Sequence, residues 1–206
     1  MSALDDFLTK VRPWAPGVPD PVAYDAIRSA AIEFCERTRL WRYEDTYPVS
    51  ASDAGEIFAP VGAVLHDIEA VEFDGRKLRP ITTVDLDAKV PRWRTDPVIG
   101  LPEWYTQIEQ NAIRIVPPQD GEIYVCLRLK PDLTATELPD FIAREYREVI
   151  GWGALGRLLM IPGQSFSNPD LAQYYKSLFD QKIDRLSTKG TTGQQNAPKR
   201  TKPRYF

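Results

Sequence analysis

Between Pro21 and Thr38 apolar residues recur at helical spacing: Ala23, Ile27, Ala30, Ala31 and Phe34 share one face, and Asp25, Arg28, Glu33, Glu36 and Arg37 take the others. The pattern predicts an amphipathic helix over 21–38, entered from Asp20 as N-cap with proline at its first position. A shorter helix is predicted over 3–11, stopped by Pro13 and the loop Trp14-Ala-Pro-Gly-Val-Pro-Asp20. From 40 to 130 the chain changes to short extended runs broken by turn residues. Ile68–Phe73 alternates, Asp74-Gly75 is a two-residue hairpin signal, and Arg76–Pro80 returns. Ala112–Val116 and Glu122–Leu129 bracket Pro117-Pro-Gln-Asp-Gly121, which reads as a second hairpin, and Trp104–Ile108 is expected to pair with Ala112–Val116.

Helical spacing returns over 139–160. Its first turns carry Asp140, Arg144, Glu145, Arg147 and Glu148, and it is almost wholly apolar from Val149, so its second half must be buried on most sides. Pro162-Gly163 ends it. Asn168-Pro169 opens a last helix over 169–186, with Leu171, Tyr175, Leu178, Phe179, Ile183 and Leu186 facing inward. The expected fold class is α+β: a helical bundle from the N- and C-terminal helices with a central antiparallel β insertion over about 40–130. Residues 1–187 are expected to form a single domain, and 188–206 an extended basic C-terminal tail.

With 206 residues, 43% of them hydrophobic, the chain is long enough to bury a real core. A net charge of -3 argues against a general nucleic-acid binder, which carries a basic excess. The charge is unevenly placed: from 188 onward Lys189, Lys199, Arg200, Lys202 and Arg204 stand without any acid, so the tail contributes +5 and the remainder -8. No apolar period runs through this tail, yet it ends in Tyr205-Phe206. Cys35 and Cys126 lie far apart in apolar stretches and read as buried thiols of a reducing compartment. The opening Met1–Asp6 lacks the basic flank and apolar run of a signal peptide, and no segment has the ~20 apolar residues of a membrane span.

Candidate chemistry is sparse. Gly151-Trp-Gly-Ala-Leu-Gly156 matches G-x-G-x-x-G but falls within a predicted helix, where the N–H groups are already committed and cannot cradle a pyrophosphate. Gly153 and Gly156 instead suit close approach of a neighbouring helix or subunit, at about 1 kcal/mol of helix propensity per glycine. One histidine, His66, with two distant cysteines cannot close a zinc site, and Ser165 lacks the second glycine of a nucleophile elbow. No cofactor is expected. Asp85 with Asp87, or Glu103 with Glu109, could form an acid–base pair, but nothing singles them out among 29 acids. Trp41, Tyr43, Trp93, Trp104 and Tyr105 could build a stacking platform or simply fill a core.

The segment Tyr24-Asp-Ala-Ile-Arg-Ser-Ala-Ala-Ile-Glu-Phe-Cys-Glu-Arg-Thr-Arg-Leu-Trp-Arg42 resembles the opening of the head-to-tail adaptor proteins of tailed bacteriophages, where a helix ending in a Phe-Cys-x-Arg-Thr type sequence leads into an aromatic-rich strand. The order that follows resembles that family over roughly 20–186: a β region, a helix near Glu145–Met160, Pro-Gly, and a last helix from Asn168-Pro. The resemblance implies a non-enzymatic virion subunit, made in the host cytoplasm and placed in the neck. There a ring of copies, commonly dodecameric, joins the portal protein to the tail tube or nozzle, and genomic double-stranded DNA passes through its lumen. It implies portal binding by the C-terminal extension, here Lys199, Arg200, Lys202, Arg204, Tyr205 and Phe206, and no membrane contact. The competing readings are a carboxylate-dependent enzyme and a carbohydrate- or peptide-binding module built on the aromatic-rich β region.

Overall fold

The structure is a computed structural model and describes residues 1–52, 55–95 and 100–192. In chain order its elements are β1 (Ser2–Ala3), α1 (Asp5–Val11), α2 (Asp20–Thr38), β2 (Arg42–Val49), β3 (Gly55–Glu56), β4 (Ala63–Phe73), β5 (Arg76–Lys77), β6 (Arg79–Pro80), α3 (Thr83–Lys89), β7 (Trp104–Thr106), β8 (Ala112–Val116), β9 (Gly121–Pro131), β10 (Glu137–Leu138), α4 (Asp140–Glu145), α5 (Arg147–Leu158) and α6 (Pro169–Thr192). The chain is mixed α+β. It divides into two compact units, one from Met1–Leu40 with Leu133–Phe206 and one from Trp41–Asp132.

The first unit is helical because its apolar residues fall on stripes that can only be buried against one another. α5 packs against α6, α2 and α1. Phe7 and Val11 from α1, Ile27, Ala30, Ala31 and Phe34 from α2, Ile150, Ala154 and Leu158 from α5, and Phe179 and Ile183 from α6 are buried. α2 starts one residue earlier than its sequence suggests: Pro19 is the N-cap and Asp20 lies in the first turn, where its charge complements the helix dipole. Arg39 ends α2 in the left-handed region, φ 54°, its N–H donating to the Cys35 carbonyl at 2.8 Å. β1 pairs with β10 and brings the terminal ammonium of Met1 to 2.8 Å from Asp140.

Two expectations are corrected in this unit. The helix predicted over 139–160 is broken at Tyr146 (φ -125°, ψ 12°) into α4 and α5. The buried Tyr146 ring packs on Phe34 and Phe141, at 5.0 and 6.4 Å between centroids, and Arg147 Nε donates to the Ala143 carbonyl at 3.1 Å. Aromatic packing outweighs helix continuity there. The last helix, capped by Asn168 Oδ1 accepting from the Leu171 N–H at 3.1 Å, runs to Thr192, so positions 188–192 of the expected extended tail are helical.

The second unit is built on β9, the central strand that pairs antiparallel with both β2 and β4. One sheet has the order β2-β9-β4-β5 and the other β3-β8-β7-β6. The Asp74-Gly75 hairpin is present, with positive φ at both residues (48° and 72°) as a two-residue turn requires. Trp104 pairs with Val116 and Tyr105 with Ile115, as expected. The second hairpin is corrected: β8 pairs with β7 and β3, while β9 belongs to the other sheet. Pro117 and Pro118 have no N–H to continue a ladder, and the long strands β2 and β4 offer β9 far more partners than the five-residue β8 could. α3 was not expected. Its signal was present as a capping box, in which Thr82 Oγ1 accepts the Asp85 N–H at 3.2 Å and donates to the Asp85 carboxylate at 2.8 Å.

The glycines of α5 separate by magnitude. A Cβ on Gly153 would lie 2.7 Å from Phe179 Cε2 and 2.9 Å from Ala30 Cβ, both immobile core atoms, whereas one on Gly156 would lie 3.3 Å from Lys176. Gly153→Val is expected to cost about 2 kcal/mol or more. Gly156→Ala should change stability by less than about 1 kcal/mol, since its crowding is offset by helix propensity. Urea unfolding followed by far-ultraviolet circular dichroism checks both, and equal effects would refute the packing argument.

Candidate functional site

In the helical unit, α2, α5 and α6 border a cleft of about 260 Å³ whose lining includes Glu33, Gly153, Gly156, Arg157, Lys176 and Phe179. Gly153 and Gly156, both buried, thus lie on the face of α5 that meets α6. The cleft's charges are largely consumed internally. Arg157 pairs with Glu33 and donates to the Gly153 carbonyl at 2.8 Å, and Arg37 pairs with Glu33, Asp180 and, at 2.8 Å, Asp184. The hydrogen bond to Asp180, followed by those to Glu33 and Asp184, raises the Arg37 pKa further above its ordinary value. This ladder ties three helices together and leaves little charge for a ligand. Sequence reading missed it, although Glu33 with Arg37 and Asp180 with Asp184 each stand at i,i+4 spacing. The G-x-G-x-x-G glycines are inside α5, so no phosphate-binding turn exists there.

In the β unit the aromatic candidates do not form an exposed platform. Trp41, Trp93 and Tyr105 are buried, and Tyr43 and Trp104 are half-buried. Trp93 closes a small core with Leu86 and Val116 and donates its indole N–H to Asp87 at 2.7 Å, while Arg94 stacks over its ring at 4.5 Å and pairs with the same carboxylate. These donors, the indole first, hold Asp87 below the usual carboxylate range. Asp85 is turned to Thr82 instead, so the two carboxylates have different partners and are not brought together as an acid–base pair. Glu103 and Glu109 are exposed.

His66 lies on β4, beside an open groove of about 620 Å³ that Asp67, Lys77, Asp85, Lys89 and Tyr105 also line. Ser165 is an exposed loop residue of the helical unit. Both cysteines are free and buried. Burial pushes the Cys35 thiol well above its ordinary value, and burial with a hydrogen bond to Glu69 pushes Cys126 up to about 11, so neither is an activated nucleophile. Among the described residues, no three His, Cys, Asp or Glu side chains gather as a metal site, and no helix is long and apolar enough to cross a membrane. Lys199, Arg200, Lys202, Arg204, Tyr205 and Phe206 lie outside the described residues.

What the described residues assemble is packing, ion-pair ladders and charged surface. A family model described as SU10 adaptor protein matches residues 2–202 of the chain. No curated protein matches it.

The Asp87 cluster has a definite pH signature. A carboxylate held low by its folded partners stabilises the fold above the unfolded value of about 3.9. That contribution is lost as pH falls through the lower folded value. Acidification should therefore change Trp93 emission below about pH 4, and Asp87→Asn should remove that step from the titration. An unchanged acid step in the variant would show that another group is responsible.

Proposed function

The chain belongs to the SU10 adaptor protein family, a phage adaptor family, and on that premise we propose that it is a non-enzymatic head-to-tail adaptor subunit of a tailed phage virion. In this reading copies of the chain form a ring, dodecameric as in similar adaptors, between the portal protein and the tail tube or nozzle protein. The family match across residues 2–202 carries the proposal.

Several features support it physically. The folded part before residue 188 carries a net -8, which suits a wall past which duplex DNA slides, because like charge withholds the phosphate contacts that give strong binding. The buried Gly153 and Gly156 suit a rigid ring-building body of helices. The tail is basic and ends in two aromatics, a composition suited to ordering on a neighbour: cations steer it and Tyr205 and Phe206 anchor it. We assign portal docking to Lys199, Arg200, Lys202, Arg204, Tyr205 and Phe206.

Cryo-electron microscopy of intact particles tests the reading: a closed ring of this chain beneath the portal is expected, and its absence from particles would overturn it. Truncation after Gly190 should leave the circular dichroism spectrum and melting profile of the fold essentially unchanged and abolish co-sedimentation with the portal. Retained co-sedimentation would remove the docking role from the tail.

A further inference from the structure

The β unit carries its charge in a way its overall acidity conceals. In both sheets the strands contributed by residues 42–56 form one edge, β2 and β3, and those contributed by residues 76–80 form the other, β5 and β6. Along the first edge Glu44, Asp45 and Glu56 are exposed, joined by Glu122, which pairs in register with Pro48 of β2, and Asp120, which accepts the Ala51 N–H at 2.8 Å. The one cation on β2, Arg42, is taken by Glu69 at 2.9 Å. Along the opposite edge Arg76, Lys77 and Arg79 are exposed, as is Lys89 of α3, which lines the same groove as Lys77, and none of these four forms an ion pair with a described residue. Asp74 and Asp85 lie among them and Glu72 pairs in register with Lys77, but Asp85 is engaged by Thr82 and Glu72 is half-buried, so exposed cations prevail at this edge.

These two edges cannot neutralise each other within one chain. Three strand spacings separate β2 from β5, about 14 Å at roughly 4.8 Å each. That exceeds the screening length of about 8 Å at physiological salt. A closed ring built from head-to-tail contacts needs two different, complementary surfaces on each copy. We propose that the acidic β2–β3 edge of one copy docks on the basic β5–β6 edge of the next, so that the β unit supplies an electrostatic heterologous contact between subunits. The inference rests on the ring reading above and names the surface that reading leaves open. Side chains make this contact rather than strand addition: Pro48 has no N–H to offer, and charged residues along β2 discourage ladder pairing.

The test uses the full chain and two double variants, R76E/R79E and E56K/E122K, chosen because none of these four side chains forms an ion pair with a described residue. Sedimentation velocity of the wild type is expected to show self-association that weakens as salt is raised. Each variant alone should associate at least about tenfold more weakly. An equimolar mixture of the two variants should associate again, because reversed edges meet complementary ones, with circular dichroism unchanged throughout. Self-association that neither variant alters would overturn the edge pairing and leave the adaptor reading intact. A wild type that stays monomeric, or duplex DNA that binds wild type and not R76E/R79E while self-association is unaltered, would also overturn it. Absence of the chain from particles would instead defeat the adaptor reading, whatever the edges do.

Discussion

The close approach of α5 to its neighbours at Gly153 is the constraint on which the helical unit depends. With no side chain there, the α5 backbone comes near enough to Phe179 and Ala30 that an added methyl would sit inside contact distance of both. That approach brings Arg157 to Glu33 and so joins α5 to the ladder of Arg37, Asp180 and Asp184. Dispersion packing of this kind is dense and short-ranged, so the ion pairs are its consequence more than its cause. Exposed or half-exposed pairs add little stability singly. Their larger contribution is to fix which residues of three helices face one another.

The β unit solves a different problem. β9 is buried over Val125–Leu129 and is flanked by strands on both sides, which removes the longest potential template for unwanted pairing. The exposed edges that remain are short, charged or interrupted by proline, and β4 carries two register shifts along its length. Edges of this kind resist open-ended sheet growth.

Much of this was legible in the sequence, and the failures have physical causes. α2 and α6 were readable because each buries one stripe, so periodicity survives in the residue order. The Asp74-Gly75 hairpin was readable because a two-residue turn with positive φ has a narrow chemistry. The break at Tyr146 was not, because Arg-Glu-Tyr-Arg-Glu is acceptable helix by propensity and only the packing of Tyr146 against Phe34, more than a hundred residues away in sequence, interrupts it. The expected hairpin between β8 and β9 failed for the same reason: neighbours in sequence were outcompeted by longer, distant partners. The aromatic residues could be listed but not sorted, since Trp93 in a core and Trp93 on a platform have the same neighbours in sequence. The glycine face of α5 was visible, whereas its ion-pair ladder required knowing that Glu33 and Asp180 converge.

The division of the chain has a consequence for how the protein is made. The β unit is continuous, Trp41–Asp132, and its first strand is tied to its last, with the Leu129 N–H donating to the Trp41 carbonyl at 2.9 Å. The helical unit is assembled from the two ends of the chain. During synthesis the β unit can close as soon as residue 132 has left the ribosome, while the apolar face of α2 stays uncovered until α5 and α6 follow. α2, translated before the whole β unit, is therefore among the last elements to find its partners. The completed β unit shortens the span that must be closed when they meet, from an open chain of about ninety residues to the short distance between two adjacent strand ends.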